Sequence, residues 1–133
     1  MKKSAVCALL VPLAALTGCF GPSGPDEVAQ AWLRAVGAGD APRACQLSAD
    51  WKGVPIKRNT PAYRQCLSMI DGNFTTRGGG ERLANLKQAE VTSASVEGDK
   101  ATVSAEDITG VIDPVIDTVT LIRVKNAWYV ALD

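Results

Sequence analysis

Val119–Val130 reads VTLIRVKNAWYV. β-Branched residues crowd the half before Lys125-Asn126, and alternating apolar residues fill the half after it. This predicts a strand within Val115–Lys125 that turns at Lys125-Asn126 into a last strand, Ala127–Leu132. In the last strand Trp128, Val130 and Leu132 share one face, and Tyr129 and Ala131 share the other. Around Leu121-Ile122 the run is apolar on both faces, so the periodicity leaves the core face undecided.

Working back from this hairpin, residues 107–117 (DITGVIDPVID) hold Gly110 and Pro114, which predict a break in the strand. Before the break, Val91–Val96 and Lys100–Glu106 form two strand-like runs joined by Glu97-Gly98-Asp99, a hairpin signal with Gly in a short loop. Ala101, Val103 and Ala105 share a face of the second run.

Upstream of about Gln88 the period changes from 2 to 3.6. Pro25-Asp26-Glu27 marks a helix start, with Pro in the first turn and two acids against the positive end of the dipole. Val28, Ala31, Trp32, Ala35 and Val36 fall on one face, and Gly37-Ala38-Gly39 ends the helix. Asp40 is an N-cap, with Pro42 behind it, for a second helix that runs to about Leu47 or Ser48 and carries Cys45. Residues 49–59 (ADWKGVPIKRN) connect to a third helix that opens at Thr60-Pro61, with Tyr63, Cys66, Leu67 and Ile70 on one face. Residues 71–82 (DGNFTTRGGGER) read as a polar, Gly-rich loop. Three helices followed by about four antiparallel strands indicate one α+β domain with helices on one face of the sheet.

The start of the chain is of a different kind. Met1-Lys2-Lys3 precedes twelve apolar residues, Ala5–Leu16. As a helix these reach about 18 Å against a hydrocarbon core of about 30 Å, and Pro12 interrupts them, so they fit a signal-peptide core better than a spanning or buried helix. Leu16-Thr17-Gly18-Cys19 resembles the bacterial lipobox. That resemblance implies a diacylglyceryl group on the Cys19 thiol, cleavage before Cys19 and export to the outer face of the cell membrane; ordinary secretion is the alternative. Two or more acyl chains, at about 0.8 kcal/mol per buried methylene, hold a small domain on a bilayer. The division is then 1–18 signal peptide, 19–25 lipidated Cys and tether, and 26–133 the domain.

Of four cysteines, Cys7 leaves with the leader and Cys19 takes lipid. Cys45 and Cys66 remain, an even pair in an oxidising place, which reads as a disulfide. Closing about 22 residues contributes about 3 kcal/mol in the chain-entropy model. Two buried free thiols are the other reading. The spacing is far from CxxC, and no third Cys or His completes a metal site.

The full chain has 14 Lys+Arg, 14 Asp+Glu and no His. Without the two leader lysines the domain carries 12 basic and 14 acidic residues, a net −2. No basic excess is available for a phosphate backbone, which argues against nucleic acid as a partner. The lack of His excludes Ser-His-Asp and Cys-His catalysis, imidazole metal ligation and a His pH switch. Arg77-Gly78-Gly79-Gly80 lacks the Lys-Ser/Thr of a phosphate-binding loop. The acids near Pro114 lack calcium-loop spacing.

The hinge AVGAGD (Ala35–Asp40) and the hairpins VEGDKATV (Val96–Val103) and VTLIRVKNAWYV (Val119–Val130) resemble small exported lipoproteins of the nuclear-transport-factor-2-like superfamily. The resemblance implies a curved sheet wrapped by helices into a cone with a cavity. Enzymes of that superfamily set an Asp–His or Tyr–Asp pair in the cone. Here His is missing, and Asp50, Asp71 and Asp107 read as loop or turn acids. Trp32, Trp51, Tyr63 and Trp128 are the candidates for pocket lining; Trp51, in the connector, has the competing reading of a lid over the core. The favoured function is a non-enzymatic lipoprotein, held to the membrane through lipid on Cys19, that binds a small apolar ligand or a protein partner without cofactor or metal. An enzyme using Asp/Tyr acid–base chemistry and a pocketless scaffold are the alternatives.

Overall fold

The computed structural model describes residues 21–75, 79–111 and 116–132. The expected signal peptide and Cys19 lie outside them, as do Arg77, Asp113 and Pro114. The fold is α+β, with helices and a mixed five-stranded sheet. Helix α1 is Pro25–Gly37, α2 is Ala41–Gln46, α3 is Pro61–Thr75 and α4 is Gly79–Ala84. Strands are β1 Ser48–Ala49, β2 Glu90–Val91, β3 Ser95–Glu97, β4 Lys100–Ser104, β5 Ile108–Thr109, β6 Thr118–Val124 and β7 Ala127–Ala131. The large sheet has the order β1-β7-β6-β4-β3; β2 and β5 form a separate pair.

Both expected hairpins are present, and each has a physical cause. Val124 pairs with Ala127 across Lys125 and Asn126, which both take positive φ, 50° and 67°. Two left-handed residues give the turn the twist that antiparallel strands need. Glu97 pairs with Lys100, and Gly98 takes φ 61° between them. The register also decides the core face. Leu121 lies opposite Val130, and these two with Ala101, Val103 and Val119 are buried. Ile122 lies opposite Tyr129 on the other face, both half-buried.

The helices cover the Leu121–Val130 face. Asp40 caps α2 by accepting from Arg43 N–H, and Thr60 caps α3 by accepting from Tyr63 N–H. The Cys45–Cys66 disulfide joins α2 to α3, with Cα atoms 5.9 Å apart. The buried face of α1 is rotated from the expected stripe: Ala29 and Leu33 are fully buried, whereas Ala31 and Trp32 sit at its margin. Trp32 is held there because its indole Nε1–H donates to Ser48 Oγ at 3.1 Å, while the Ser48 hydroxyl donates to Ala44 O at 2.7 Å. One buried hydroxyl thus links α1, α2 and β1. Among the described residues the core cluster runs from Val28 to Val130 and contains both bridged cysteines, so these residues hold a core of their own, as an independently folding domain does.

Four expectations need correction. Residues 71–82 are largely helical: α3 continues to Thr75 and α4 begins at Gly79. Packing overrides the glycine content, since Leu83 and Leu86 join the core and Gly37 brings the end of α1 onto the backbone of Leu86 and Lys87. The Val91–Val96 run is two strands, because Thr92 N–H donates to Asp107 O and diverts the chain. Lys100–Glu106 stops as a strand at Ser104, where Ala105–Asp107 makes a 3-10 turn. The sheet is mixed rather than wholly antiparallel, since β1 pairs parallel with β7.

Candidate functional site

The most unusual surface in the fold is the tip of the connector after β1. Its geometry starts from DWKG (Asp50–Gly53). Asp at the first and Gly at the fourth position favour a β-turn, and Gly53 N–H donates to Asp50 O at 2.9 Å. The Asp50 carboxylate accepts from Lys52 N–H at 2.9 Å and Val54 N–H at 3.0 Å. Asp50 N–H donates to Val54 O at 2.9 Å. Four hydrogen bonds therefore fix five residues, with Gly53 at φ 79°, a conformation that favours glycine. Beyond the tip, Ile56 N–H donates to Ser48 O, and Ala49 bridges Pro55, so the connector returns alongside β1.

A turn closed in this way points its second residue outward. Trp51 is 75% exposed and Val54 52% exposed, although both are large and apolar. Lys52 Nζ lies 5.0 Å from the centroid of the Trp51 ring, within cation–π reach. Gly53 lies against the sheet: a Cβ built there would stand 3.5 Å from Ile122 Cδ1. The tip is therefore seated beside the face that carries Ile122 and Tyr129, the face turned away from the buried Leu121–Val130 face.

This corrects the expectation for Trp51, which neither lines an enclosed space nor covers the core. The other three residues proposed as pocket lining lie in or against the core cluster. Tyr63 is buried in the core cluster. Trp32 is half-buried and bonded to Ser48. Trp128 is half-buried opposite Arg123, whose guanidinium sits 5.3 Å from its ring centroid and 3.0 Å from Asp99 Oδ1. Trp128 shares the Val130 face and packs against the core as Trp32 does, whereas Trp51 belongs to the tip beside Ile122, so Trp51 stands apart from the other three.

The three acids considered for chemistry do not converge either. Asp50 closes the turn. Asp71 is exposed on α3 rather than in a loop, and Asp107 accepts from the Ser104 hydroxyl at 3.2 Å. Tyr63 lies in the core and Tyr129 on the outer sheet face, so no Tyr–Asp pair is assembled from these residues. Among the described residues every buried side-chain nitrogen or oxygen has a hydrogen-bond partner, and no three His, Cys, Asp or Glu side chains gather as metal ligands. No helix among them is long and apolar enough to cross a membrane.

The sequence signal for the tip is Asp-x-x-Gly at residues 50–53, a turn pattern that hydropathy does not register. Nothing in the periodicity singled out Ile122 or Val54. No known family model, characterised protein or solved structure matches the chain.

Proposed function

We propose that the chain is an exported lipoprotein of the nuclear-transport-factor-2-like kind, held on the outer face of the cell membrane by lipid on Cys19. Its domain binds a partner through an outward surface and carries out no chemistry. The order of helices before strands, and α1 lying against β7, support a cone-like arrangement of helices and curved sheet. The basic start, the short apolar run and Leu16–Cys19 support export and lipidation.

One observation carries the binding reading. Trp51 is 75% exposed on a turn fixed by four hydrogen bonds. Leaving an indole in water forgoes roughly 2 kcal/mol or more of burial. A rigid turn that holds it outward also lowers the ordering cost of binding. Exposed, turn-mounted aromatics suit a broad partner surface rather than a small apolar ligand, which needs an enclosing cavity.

The test is a photo-crosslinking amino acid placed at position 51 in cells, compared with the same group at exposed Glu106. Covalent adducts at 51 above those at 106 support the reading. Equal yields at both positions contradict it.

A further inference from the structure

The Trp51 tip opens a stretch of unusual charge. Residues 51–70 (WKGVPIKRNTPAYRQCLSMI) contain Lys52, Lys57, Arg58 and Arg64 and no acid. The rest of the chain from Cys19 onward has eight basic residues against fourteen acids. The domain is thus divided into a +4 segment and a −6 remainder. All four basic side chains are exposed. Among the described residues, four large apolar side chains are exposed, and three of them lie in this segment: Trp51, Val54 and Met69, the last at 41%. Arg64 and Met69 of α3 are exposed as well, but Tyr63, Cys66 and Ile70 dock α3 on the core side of the sheet, so the patch that is continuous with the tip is the connector itself, with Trp51, Lys52, Val54, Lys57 and Arg58 exposed.

Exposed Trp beside Lys and Arg is the combination that suits a bilayer interface, where the indole sits at headgroup level and the cations meet anionic lipid. The chain outside the fold supplies the proximity. Five residues, 20–24, separate Cys19 from the first residue of α1. Fully extended they span at most about 17 Å. That is less than the diameter of a domain whose radius of gyration is about 13 Å. A lipid on Cys19 therefore keeps the domain against the surface it is anchored in.

We infer that the connector, residues 51–58, forms a membrane-facing surface, and that the partner of the Trp51 tip is the anionic lipid of the bilayer holding the anchor. This rests on the anchored-lipoprotein reading for its proximity, though the surface itself can be examined without the anchor. Lipidation then acts as the first contact and the basic, Trp-tipped connector as the second, which orients the domain.

The experiment uses residues 20–133, which lack Cys19 and hence any lipid, with the Cys45–Cys66 bridge formed. The protein is titrated with vesicles of phosphatidylcholine alone and of phosphatidylcholine with phosphatidylglycerol. Binding to the anionic vesicles only, weakened by salt, is expected, with a loss of about tenfold or more for Trp51→Ala and for the pair Lys57→Glu and Arg58→Glu. Glu106→Gln, away from the segment, should bind as the parent does. Brominated lipid should quench the parent's fluorescence and spare Trp51→Phe, which retains Trp32 and Trp128. Equal affinity for both vesicles, no binding to either, or unchanged binding in the charge-reversed pair overturns the inference. So does concentration-dependent self-association that Trp51→Ala abolishes without any effect on vesicles, which would make a second copy the partner. An unlipidated Cys19 in cells, with anionic-vesicle binding intact, would overturn the anchor and leave the surface standing.

Discussion

Asp50 and Val54 are bonded to each other twice: Asp50 N–H donates to Val54 O at 2.9 Å, and Val54 N–H donates to the Asp50 carboxylate at 3.0 Å. This reciprocal pair holds the tip that presents Trp51. Because the carboxylate also accepts from Lys52 N–H, its negative charge is spent inside the turn, beside a segment that is otherwise basic.

Asp50→Ala removes two side-chain hydrogen bonds to backbone N–H. At roughly 1 kcal/mol each in net terms, and partly replaced by water, stability should fall by about 1 kcal/mol. The sharper effect is local. Hydrogen exchange at the Val54 amide should accelerate far more than exchange at Leu121 in the sheet. Equal slowing or equal acceleration at both would contradict the role given to Asp50.

The Trp32–Ser48 bond joins α1 to β1 across the buried end of the sheet. A double-mutant cycle of Trp32→Phe and Ser48→Ala, read by urea unfolding, should give a coupling of about 0.5–1.5 kcal/mol. Ser48→Ala alone should cost more than the coupling, because it also leaves the Ala44 carbonyl without the hydroxyl it accepts from. Additive single effects would show that the indole N–H finds an equal partner elsewhere.

Two glycines should respond oppositely to alanine. A Cβ on Gly37 would run into the backbone of Leu86 and Lys87, so Gly37→Ala must push apart α1 and the Asn85–Gln88 turn. A loss of several kcal/mol, or failure to fold, is expected, on the scale of overpacking plus backbone displacement at about 1–3 kcal/mol or more. At Gly72, within α3, a Cβ meets nothing within 4 Å. Gly72→Ala should stabilise by about 0.5–1 kcal/mol through helix propensity. Thermal melts of the two variants should move in opposite directions.

Reducing the Cys45–Cys66 bridge, or replacing both cysteines by Ala, should lower stability by about 3 kcal/mol on the chain-entropy argument for a 21-residue separation. The pairing of β4, β6 and β7 does not depend on it. Far-UV circular dichroism of the reduced protein at low temperature should therefore retain its strand signal while the unfolding midpoint falls. An unchanged midpoint would mean that the bridge constrains nothing in the unfolded chain.

These contacts also show why some of the fold was legible and some was not. The hairpin at Lys125-Asn126 and the Gly98 hairpin are set by residues adjacent in the chain, so their turn chemistry is readable directly. The alternation of Trp128 and Val130 against Tyr129 was equally local. Which face is buried was not local, because Leu121 and Ile122 differ little in hydropathy and only the docking of α1 distinguishes them. The helix at Gly79–Ala84 escaped for a similar reason: three glycines obscure it, and what stabilises it lies in Leu83, Leu86 and the gap left by Gly37, some forty residues away. Trp51 lies in the connector, where a large aromatic argues for burial by default. The Asp50 turn overrides that expectation through backbone hydrogen bonds, which hydropathy does not register.

Anchoring through a lipid on Cys19 is the proposed means by which the Trp51 tip meets a surface. The measurement that tests this most directly is the intact mass of the protein purified from the membranes of cells that make it. The predicted species begins at Cys19, lacks residues 1–18, carries a diacylglyceryl group or a fully acylated N-terminus, and is two hydrogens lighter for the Cys45–Cys66 bridge. A full-length chain with Met1 still attached, or a cleaved chain with an unmodified Cys19 thiol, would contradict it.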